Sequence, residues 1–180
     1  MLRLETERLI LRPWRTNDEA PYAAMMADPE VGLWLGRTLD AGESRAQIGR
    51  FSEHLAEHGF GFLAIERRDD GVLLGAAGLL ALRPDNPLAP GVEIGWRLAR
   101  HAWGAGYAVE AARAALDDGF GRLGLDEIVA FTAVSNARSR AVIERLGMLR
   151  APERDFNHPA LAVDHPLRAH VVYAISPPLR

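Results

Sequence analysis

Hydrophobic and polar residues alternate over some segments of the chain and recur with helical spacing over others. The alternating or wholly apolar runs predict strands at residues 9–14, 60–67, 72–82, 92–98, 127–134 and 170–175. Apolar residues three or four positions apart predict helices over residues 40–58 and 107–122. Capping and terminating residues predict two more helices, over residues 16–28 and 137–146. This order of elements predicts one α/β domain over residues 1–180, whose mixed sheet combines antiparallel hairpins with a parallel crossover.

Residues at the predicted element ends have the chemistry of caps and turns. Thr16 and Glu19 match a capping box, in which Thr16 accepts a hydrogen bond from the Glu19 amide and the Glu19 side chain reaches back. Asp40 is placed to start the second helix and Gly59 to end it. The turn Asp69-Asp70-Gly71 separates two apolar runs, and its glycine supplies the positive φ that a tight hairpin needs.

Composition and charge narrow the class of protein. The chain has 180 residues, of which 48% are hydrophobic, 25% charged and 7% aromatic, a balance typical of a folded globular protein. There are 21 Lys and Arg against 24 Asp and Glu, for a formal charge of −3. The chain therefore lacks the overall positive field of nucleic-acid-binding proteins, and we expect no nucleic-acid partner.

The chain contains no cysteine. Disulfides, cysteine-based zinc sites and thiol nucleophiles are excluded, and nothing ties the protein to an oxidising compartment. No segment approaches the ~20 apolar residues of a membrane helix, and residues 1–8 lack the apolar core of a signal peptide. We expect a cytoplasmic monomer or homodimer without a membrane partner.

Two glycines separated by one residue, Gly104 and Gly106, lie between the predicted strand 92–98 and the predicted helix 107–122. Such glycines let backbone amides turn toward a ligand and the helix start adds a positive dipole, which favours a phosphate or pyrophosphate. A turn that merely needs small residues is the alternative. The dinucleotide fingerprint would need a third small residue where Val109 stands, and the chain has no Gly-Lys-Ser or Gly-Lys-Thr of a P-loop.

Three ordered motifs follow one another between residues 93 and 148. They are Glu93-Ile94-Gly95-Trp96, the segment from Trp103 to Ala111, and Asn136 with Ser139 and residues 144–148. Together they resemble the GNAT superfamily of acetyl-coenzyme A-dependent N-acetyltransferases. Residues 6–12 and the absence of cysteine resemble the branch that includes the ribosomal-protein N-terminal acetyltransferases, whose members also act on other amines. The resemblance spans nearly the whole chain.

The resemblance implies the GNAT fold, in which strands 92–98 and 127–134 splay apart and leave a V-shaped gap for the pantetheine arm. It implies acetyl-coenzyme A as the acyl donor, without a metal. Backbone amides of the glycine loop would bind the pyrophosphate: Gly104, Ala105, Gly106, Tyr107 and Ala108. Main-chain groups of three residues would hold the arm and the thioester carbonyl: Arg97, Leu98 and Ala99. His101 stands where the family pattern has Gln or Arg, a mild departure because the amides do most of the binding.

Asn136 matches the family position that hydrogen-bonds the coenzyme A arm, and a helix N-cap is its alternative role. Many GNAT enzymes place a tyrosine in the following helix to protonate the leaving thiolate, but this chain has Ile143 there. Ser139 is then the candidate acid, and the alternatives are water or departure as a thiolate.

Acetyl transfer also needs a group that removes a proton from the ammonium of the acceptor. Alternation along the strand puts Glu93 on one face with Gly95 and Arg97, and family members often use a carboxylate on this strand. Glu93 is therefore the candidate base, and the alternative is a surface glutamate or one that is merely paired with Arg97. Glu110, in the first helical turn, is a weaker candidate because the helix dipole favours a carboxylate there anyway.

The predicted reaction is direct attack of a primary amine on the thioester in a ternary complex, without a covalent acyl-enzyme. The acceptor is a protein N-terminus or a small-molecule amine. The alternative function is that of a catalytically inactive module that binds or senses coenzyme A.

Three further features carry weaker hypotheses. His54-Leu55-Ala56-Glu57-His58 fits the inverted zinc-protease pattern, although histidines also suit the last turn of a helix. Trp34 and Trp96 are candidates for an acceptor pocket, with core packing as the commoner role. Residues 156–168, which are rich in proline and histidine, are predicted to line the acceptor side.

Overall fold

A mixed sheet forms the centre of the molecule. The computed structural model describes residues 2–177, within which nine strands are found: β1 (Leu4–Glu5), β2 (Leu9–Arg12), β3 (Phe62–Arg67), β4 (Leu73–Ala81), β5 (Val92–Leu98), β6 (Ile128–Ala133), β7 (Leu149–Arg150), β8 (Phe156–Asn157) and β9 (Ala169–Ile175). The helices are α1 (Glu19–Met26), α2 (Pro29–Gly32), α3 (Ala41–His58), α4 (Tyr107–Gly121) and α5 (Ala137–Arg145). The α/β class predicted from the sequence is confirmed. None of the helices in this part of the chain is long and apolar enough to cross a membrane.

The strands lie in the order β1-β2-β3-β4-β5-β6-β9-β7, and β8 pairs with β9 outside this path. Only β5 and β6 are parallel among the paired strands of residues 2–177. A single residue pair, Glu93 with Val129, joins these two strands in register. The strands therefore diverge beyond Glu93 and leave a V-shaped gap, as the resemblance to GNAT enzymes implies.

Helices cover both faces of the sheet. On one face, Ala115 of α4 and Ile143 of α5 pack against Ile128 of β6, and the alanine-rich face of α4 allows a close approach. On the other face, α1 and α3 close a second core, in which the rings of Phe51 and Phe62 lie 5.1 Å apart. The gap between β5 and β6 lies between these two layers.

The predicted caps of α3 are confirmed. The Asp40 carboxylate accepts a hydrogen bond from the Glu43 amide at 2.8 Å, and the Glu43 carboxylate accepts one from the Asp40 amide at 3.0 Å. Gly59 ends the helix with a φ of 74°. Gly71 in the hairpin between β3 and β4 has a φ of 71°, as the turn prediction requires.

The predicted capping box of Thr16 and Glu19 is wrong. Residues Thr16–Asp18 form a 3-10 turn, and α1 begins only at Glu19. The Asp18 carboxylate accepts the amide hydrogen bond, from Arg15 at 2.8 Å. The same carboxylate accepts hydrogen bonds from Nη1 and Nη2 of Arg12 at 2.7 and 2.9 Å. Because charge-assisted pairs are stronger than a neutral hydroxyl cap, this contact sets where the helix starts.

Arg12 joins Asp18 to Glu66, whose Oε2 lies 2.6 Å from Arg12 Nε. The Arg12 and Asp18 side chains are only 5% and 6% exposed. Arg12→Met leaves a buried carboxylate without its partner, so we expect a loss of about 3–5 kcal/mol in the free energy of unfolding, measured in urea. Arg3→Met, which removes an exposed pair with Glu5, should cost less than about 1 kcal/mol. Equally small losses for both variants would contradict the structural role of Arg12.

Candidate active site

The loop before α4 presents a row of backbone amides. Gly104 and Gly106 have φ of 76° and 83°, a region that residues with side chains rarely adopt. The two glycines and the alanine between them are exposed. No amide of residues 104–108 donates a hydrogen bond to another group of the described chain. Unpaired amides at a helix start form a site for an anion, and this one is open to solvent.

Arg8 braces this loop from the N-terminal strands. Its guanidinium donates to the Ala105 carbonyl at 3.0 Å and to Glu110 at 2.7 Å, and it lies 4.6 Å from the centre of the Tyr107 ring. Arg8 was not among the predicted site residues, since it is about a hundred positions away in sequence and no local pattern marks it.

Glu110, the weaker candidate base, belongs to this brace. Its carboxylate accepts hydrogen bonds from the Thr6 hydroxyl at 2.6 Å and from the Arg8 amide at 2.9 Å. Burial alone would raise the pKa of Glu110, but these hydrogen bonds and the Arg8 charge together hold it below the ordinary value. A carboxylate that is ionised and fully engaged is a poor proton acceptor, so Glu110 acts as a structural residue here.

The end of β5 forms one wall of the gap. The Ala99 amide donates a hydrogen bond to the Leu74 carbonyl of the neighbouring strand β4 at 2.9 Å. Main-chain groups of successive residues in a strand point to opposite edges, so those of Leu98 point away from β4 and toward the gap. The Leu98 carbonyl accepts a hydrogen bond from the Trp103 indole at 2.8 Å. Of the three predicted main-chain contacts, Leu98 therefore faces the gap, whereas the amide of Ala99 is already paired.

The start of α5 forms the opposite wall. Asn136 Oδ1 accepts a hydrogen bond from the Ser139 amide at 3.2 Å, and Nδ2 donates to the Thr132 hydroxyl at 3.0 Å. The N-cap role of Asn136 is thus realised, and one Nδ2 hydrogen is left for another acceptor. Ser139 is partly exposed on the first turn, whereas Ile143 is only 1% exposed and packs into the core.

A contact that was not predicted crosses the gap. The Arg138 guanidinium of α5 lies 4.5 Å from the centre of the Trp103 ring in the loop before α4. This cation–π pair links the two walls near the unpaired amides. The sequence gives no sign of it, because the two residues belong to different elements.

Glu93 lies where β5 and β6 are still joined, between Leu80 of β4 and Val129 of β6. Burial raises the pKa of Glu93 to about 7, and the charge of Arg97 opposes this shift. No hydrogen bond within residues 2–177 stabilises its charged form. The alternative of a glutamate held in a close ion pair with Arg97 is therefore not what is found. An unpaired carboxylate that titrates near neutrality is suited to accept a proton.

Glu93 should also make the stability of the protein depend on pH. Its pKa of about 7 lies above the ordinary 4.5, so the folded state holds the proton more tightly than the unfolded state does. The contribution of protonated Glu93 to the free energy of unfolding is therefore lost as pH rises from 4.5 through 7. Glu93→Gln carries no charge, so we expect it to be more stable than the unchanged protein at pH 8, by up to about 3 kcal/mol. The difference should vanish near pH 4 in urea unfolding. A matched variant, Glu57→Gln at an exposed position of α3, should show no such pH-dependent gain, and a gain equal to that of Glu93→Gln would contradict this assignment.

A cavity of about 390 Å³ opens on the same side of the sheet as Glu93. Arg97 of β5 forms its base, and Gln47 and Arg50 of α3 form one side. Arg37 and Glu43 lie at its rim, and apolar side chains of α1 and the following turn complete the wall. Arg97 therefore borders the cavity, and Glu93 lies four residues before it on the same face of β5.

Trp34 and Trp96, the two candidates for an acceptor pocket, do not line this cavity. Trp96 points to the opposite face of β5 and packs against the cores beneath α4, so its core role is confirmed. Trp34 is partly buried in a 3-10 turn, and the neighbouring Leu35 lines the cavity in its place. Neither tryptophan forms the cavity wall.

The segment 156–168 contacts the sheet face that carries Glu93 and the turn at Gly36. Phe156 packs against Phe131 of β6, with ring centres 5.4 Å apart, and stacks on His170 of β9 at 5.5 Å. Phe131 follows Val129 by two residues and so shares the sheet face of Glu93. Near the tip, Leu161 approaches Gly36, in the turn that borders the cavity.

The two histidines of the zinc-protease pattern lie on the last turns of α3. His54 Nε2 accepts a hydrogen bond from the Ala81 amide at 3.0 Å, which leaves Nδ1 to donate to the Phe60 carbonyl at 2.9 Å. Burial lowers the pKa of His54, so the neutral ring fits this environment. Both nitrogens are engaged with backbone, so His54 is a structural residue and the metal hypothesis loses its first ligand.

Comparisons with known proteins agree with this geometry. Residues 8–149 match the family model described as an acetyltransferase (GNAT) domain. The chain is 30% identical over 158 residues to the uncharacterized N-acetyltransferase p20 of Bacillus licheniformis, a match that covers 84% of this chain and 87% of that protein. The acetyltransferase of Agrobacterium tumefaciens has a similar structure, with a TM-score of 0.80, 29% identity and coverage of 98% and 95% of the two chains. The ribosomal-protein-S5-alanine acetyltransferase of Vibrio fischeri shares the fold alone, at 16% identity, a TM-score of 0.76 and coverage of 98% and 97%.

Proposed function

The chain belongs to the acetyltransferase (GNAT) family, and we propose that it transfers an acetyl group from acetyl-coenzyme A to a primary amine. The observation that carries this proposal is a row of unpaired amides at residues 104–108, next to a strand gap that begins at a carboxylate with a pKa of about 7. Acetyl-coenzyme A carries a pyrophosphate and, at the other end of its arm, a thioester. It therefore requires an anion site at some distance from the reacting carboxylate. We take residues 1–180 to act as one domain.

The residues around the gap fit this donor. The amides of Gly104 to Ala108 would bind the pyrophosphate, and the positive φ of the two glycines turns them outward. Main-chain groups of Arg97, Leu98 and Ala99 would line the arm, with Leu98 best placed because it faces the gap. Asn136 would contribute its remaining Nδ2 hydrogen. The thioester supplies the activated acetyl group once the donor is bound.

Glu93 would take a proton from the ammonium group of the acceptor. The amine nitrogen then forms its bond to the acetyl carbon as the carbon–sulfur bond breaks, and the second amine proton goes to solvent. Ser139 on α5 is the proposed proton donor to the leaving thiolate, with water as the alternative, because Ile143 is buried and carries no acidic proton. Direct attack requires no enzyme nucleophile, in agreement with a chain that has no cysteine.

The acceptor is a small amine or a protein N-terminus. The cavity of about 390 Å³ lies at the lower end of the ~300–1,000 Å³ range of small-molecule sites, which favours a small amine. A protein N-terminus is the other acceptor class, from the resemblance of residues 6–12 to the ribosomal-protein N-terminal acetyltransferases. A cytoplasmic location stays a prediction from the sequence.

The buried Ile143 also favours a second candidate function, that of a module that binds coenzyme A without catalysis. Release of free thiol from acetyl-coenzyme A, measured with a panel of primary amines and peptides, separates the two. We expect thiol release that depends on a primary amine, with the acetylated amine detected by mass. Binding of acetyl-coenzyme A without thiol release for any amine would favour the module and contradict the enzyme.

A further inference from the structure

We infer that the acceptor is a small primary amine that also bears a carboxylate, and that Arg97 binds this carboxylate while Glu93 receives the proton of the amine. This inference rests on the proposed acetyl transfer and names the class of its acceptor.

Arg97 is a half-buried cation that makes no ion pair among the described residues. Burial raises the pKa of Tyr22, and the charge and side-chain hydrogen bond of Arg97 oppose this shift. Its guanidinium lies 5.7 and 5.8 Å from the ring centres of Phe51 and Phe62, at the base of the cavity. Nη1 is inaccessible to solvent and has no hydrogen-bond partner within the described chain. Buried charged donors are normally paired, so a guanidinium that borders a cavity and has donor capacity left over favours an anion as the ligand there.

The side chains that line the cavity carry more positive than negative charge. Three arginines line it, Arg37, Arg50 and Arg97, against one carboxylate, Glu43. Glu43 already pairs with Arg37 at 2.6 Å. Arg50 and Arg97 make no ion pair within residues 2–177, whereas most of the other arginines described there do. Two unpaired guanidinium groups on one cavity favour a carboxylate-bearing ligand over a simple cationic amine.

Glu93 and Arg97 lie four residues apart on the same face of β5. Four residues of a strand span roughly 13 Å between Cα atoms, and the Arg97 side chain is long enough to shorten the distance between the two charged groups. The charge of Arg97 acts on the Glu93 carboxylate without a hydrogen bond between them. An acceptor whose carboxylate binds Arg97 would extend its amine along this face of β5 toward Glu93.

The size of the site limits the acceptor further. The cavity of about 390 Å³ holds a molecule of the size of an amino acid or a dipeptide. Gln47, whose Oε1 accepts a hydrogen bond from the Tyr22 hydroxyl at 2.7 Å, keeps its amide donors for such a ligand. Amino acids and their short, acidic derivatives therefore fit this surface.

The test uses matched acceptors that differ only in the carboxylate. A set of free L-amino acids and acidic dipeptides is compared with the corresponding carboxamides, and thiol release from acetyl-coenzyme A gives kcat/KM. The amine of a carboxamide is less basic and thus more often unprotonated at neutral pH, so intrinsic reactivity favours the carboxamide. We expect the acids to be favoured at least ~10-fold, the usual contribution of a charged hydrogen bond.

Arg97→Gln should bring this ratio close to one, and Arg97→Lys should retain part of it, because the charge stays but the planar fork is lost. Arg97→Gln should also move the pH inflection of kcat/KM upward, since the charge that opposes the pKa rise of Glu93 is removed. Arg45→Gln is the matched control, an exposed arginine of α3 that pairs with Glu19 outside the cavity, and it should keep the full ratio.

Three results are distinguishable. Equal or better acetylation of carboxamides by the unchanged protein overturns the carboxylate inference and leaves the acetyltransferase function standing. A preference for acids that survives Arg97→Gln overturns the role of Arg97. Absence of thiol release with every amine, with and without a carboxylate, contradicts the proposed function and the inference with it.

Discussion

Gly106→Glu should reduce the affinity for acetyl-coenzyme A by at least about 100-fold, because a carboxylate would lie among the amides that bind the pyrophosphate. Gly106 is exposed and has a φ of 83°, and an added Cβ would lie 3.5 Å from Arg8 Nη2, next to the loop. The same loss is expected for Gly104→Glu, where an added Cβ meets no atom within 4 Å. Titration calorimetry on the two variants measures it.

The control must separate charge from backbone strain. Gly71→Glu introduces the same charge at a glycine with a φ of 71° and open space around it, in the hairpin between β3 and β4. We expect its affinity for acetyl-coenzyme A to equal that of the unchanged protein. Gly106→Ala adds strain without charge and should lose much less than Gly106→Glu. Unchanged affinity of both glutamate variants would show that the pyrophosphate does not bind at this loop.

Glu93→Gln should lower kcat by about 10²–10⁴-fold, the usual contribution of a general base. In the unchanged protein, kcat/KM should rise with pH through about 7, since the carboxylate must lose its proton before it can accept another. The variant should lose this inflection. Its affinity for acetyl-coenzyme A should be retained, because the amides of the loop lie at the other end of β5.

The matched control is again Glu57→Gln, which removes an exposed carboxylate of α3 and should keep both kcat and the pH profile. If Glu93→Gln retains full kcat with the same inflection, Glu93 is not the base. The stability gain predicted for the same variant at pH 8 gives an independent sign that Glu93 titrates near neutrality, since it does not depend on any acceptor.

Features determined by neighbouring residues could be predicted from the sequence. The caps of α3 at Asp40 and Gly59 depend on local geometry, and both are found. Gly104 and Gly106 indicated an anion site because their freedom to adopt positive φ is a property of the residue type. The alternation along β5 placed Glu93 and Arg97 on one face, and its apolar residues on the other.

Features that depend on distant partners were missed. Thr16 matched a capping box, but Asp18 takes that role because its carboxylate is held by Arg12, which also pairs with Glu66 of the sheet. Arg8 reaches the glycine loop only because β1 and β2 pack beside α4. The two-residue strands β7 and β8 are too short for any periodicity, and their pairing with β9 defines them.

The sequence names the backbone groups of the candidate donor loop, but it does not name the polar side chains that line the cavity. The amides of residues 104–108 follow one another in the chain, so a motif can describe them. The cavity instead combines Arg97 of β5 with Gln47 and Arg50 of α3, which no spacing rule connects. Only the folded arrangement reveals that Arg50 and Arg97 line one cavity and make no ion pair within residues 2–177.

Titration calorimetry of the unchanged protein with acetyl-coenzyme A, coenzyme A and NAD tests the proposed donor site most directly. We expect one site per chain for both coenzyme A forms, with a dissociation constant of roughly micromolar order, and no binding of NAD. Failure of both coenzyme A forms to bind would contradict the assignment of the gap and the glycine loop to this donor, even though the fold would stand.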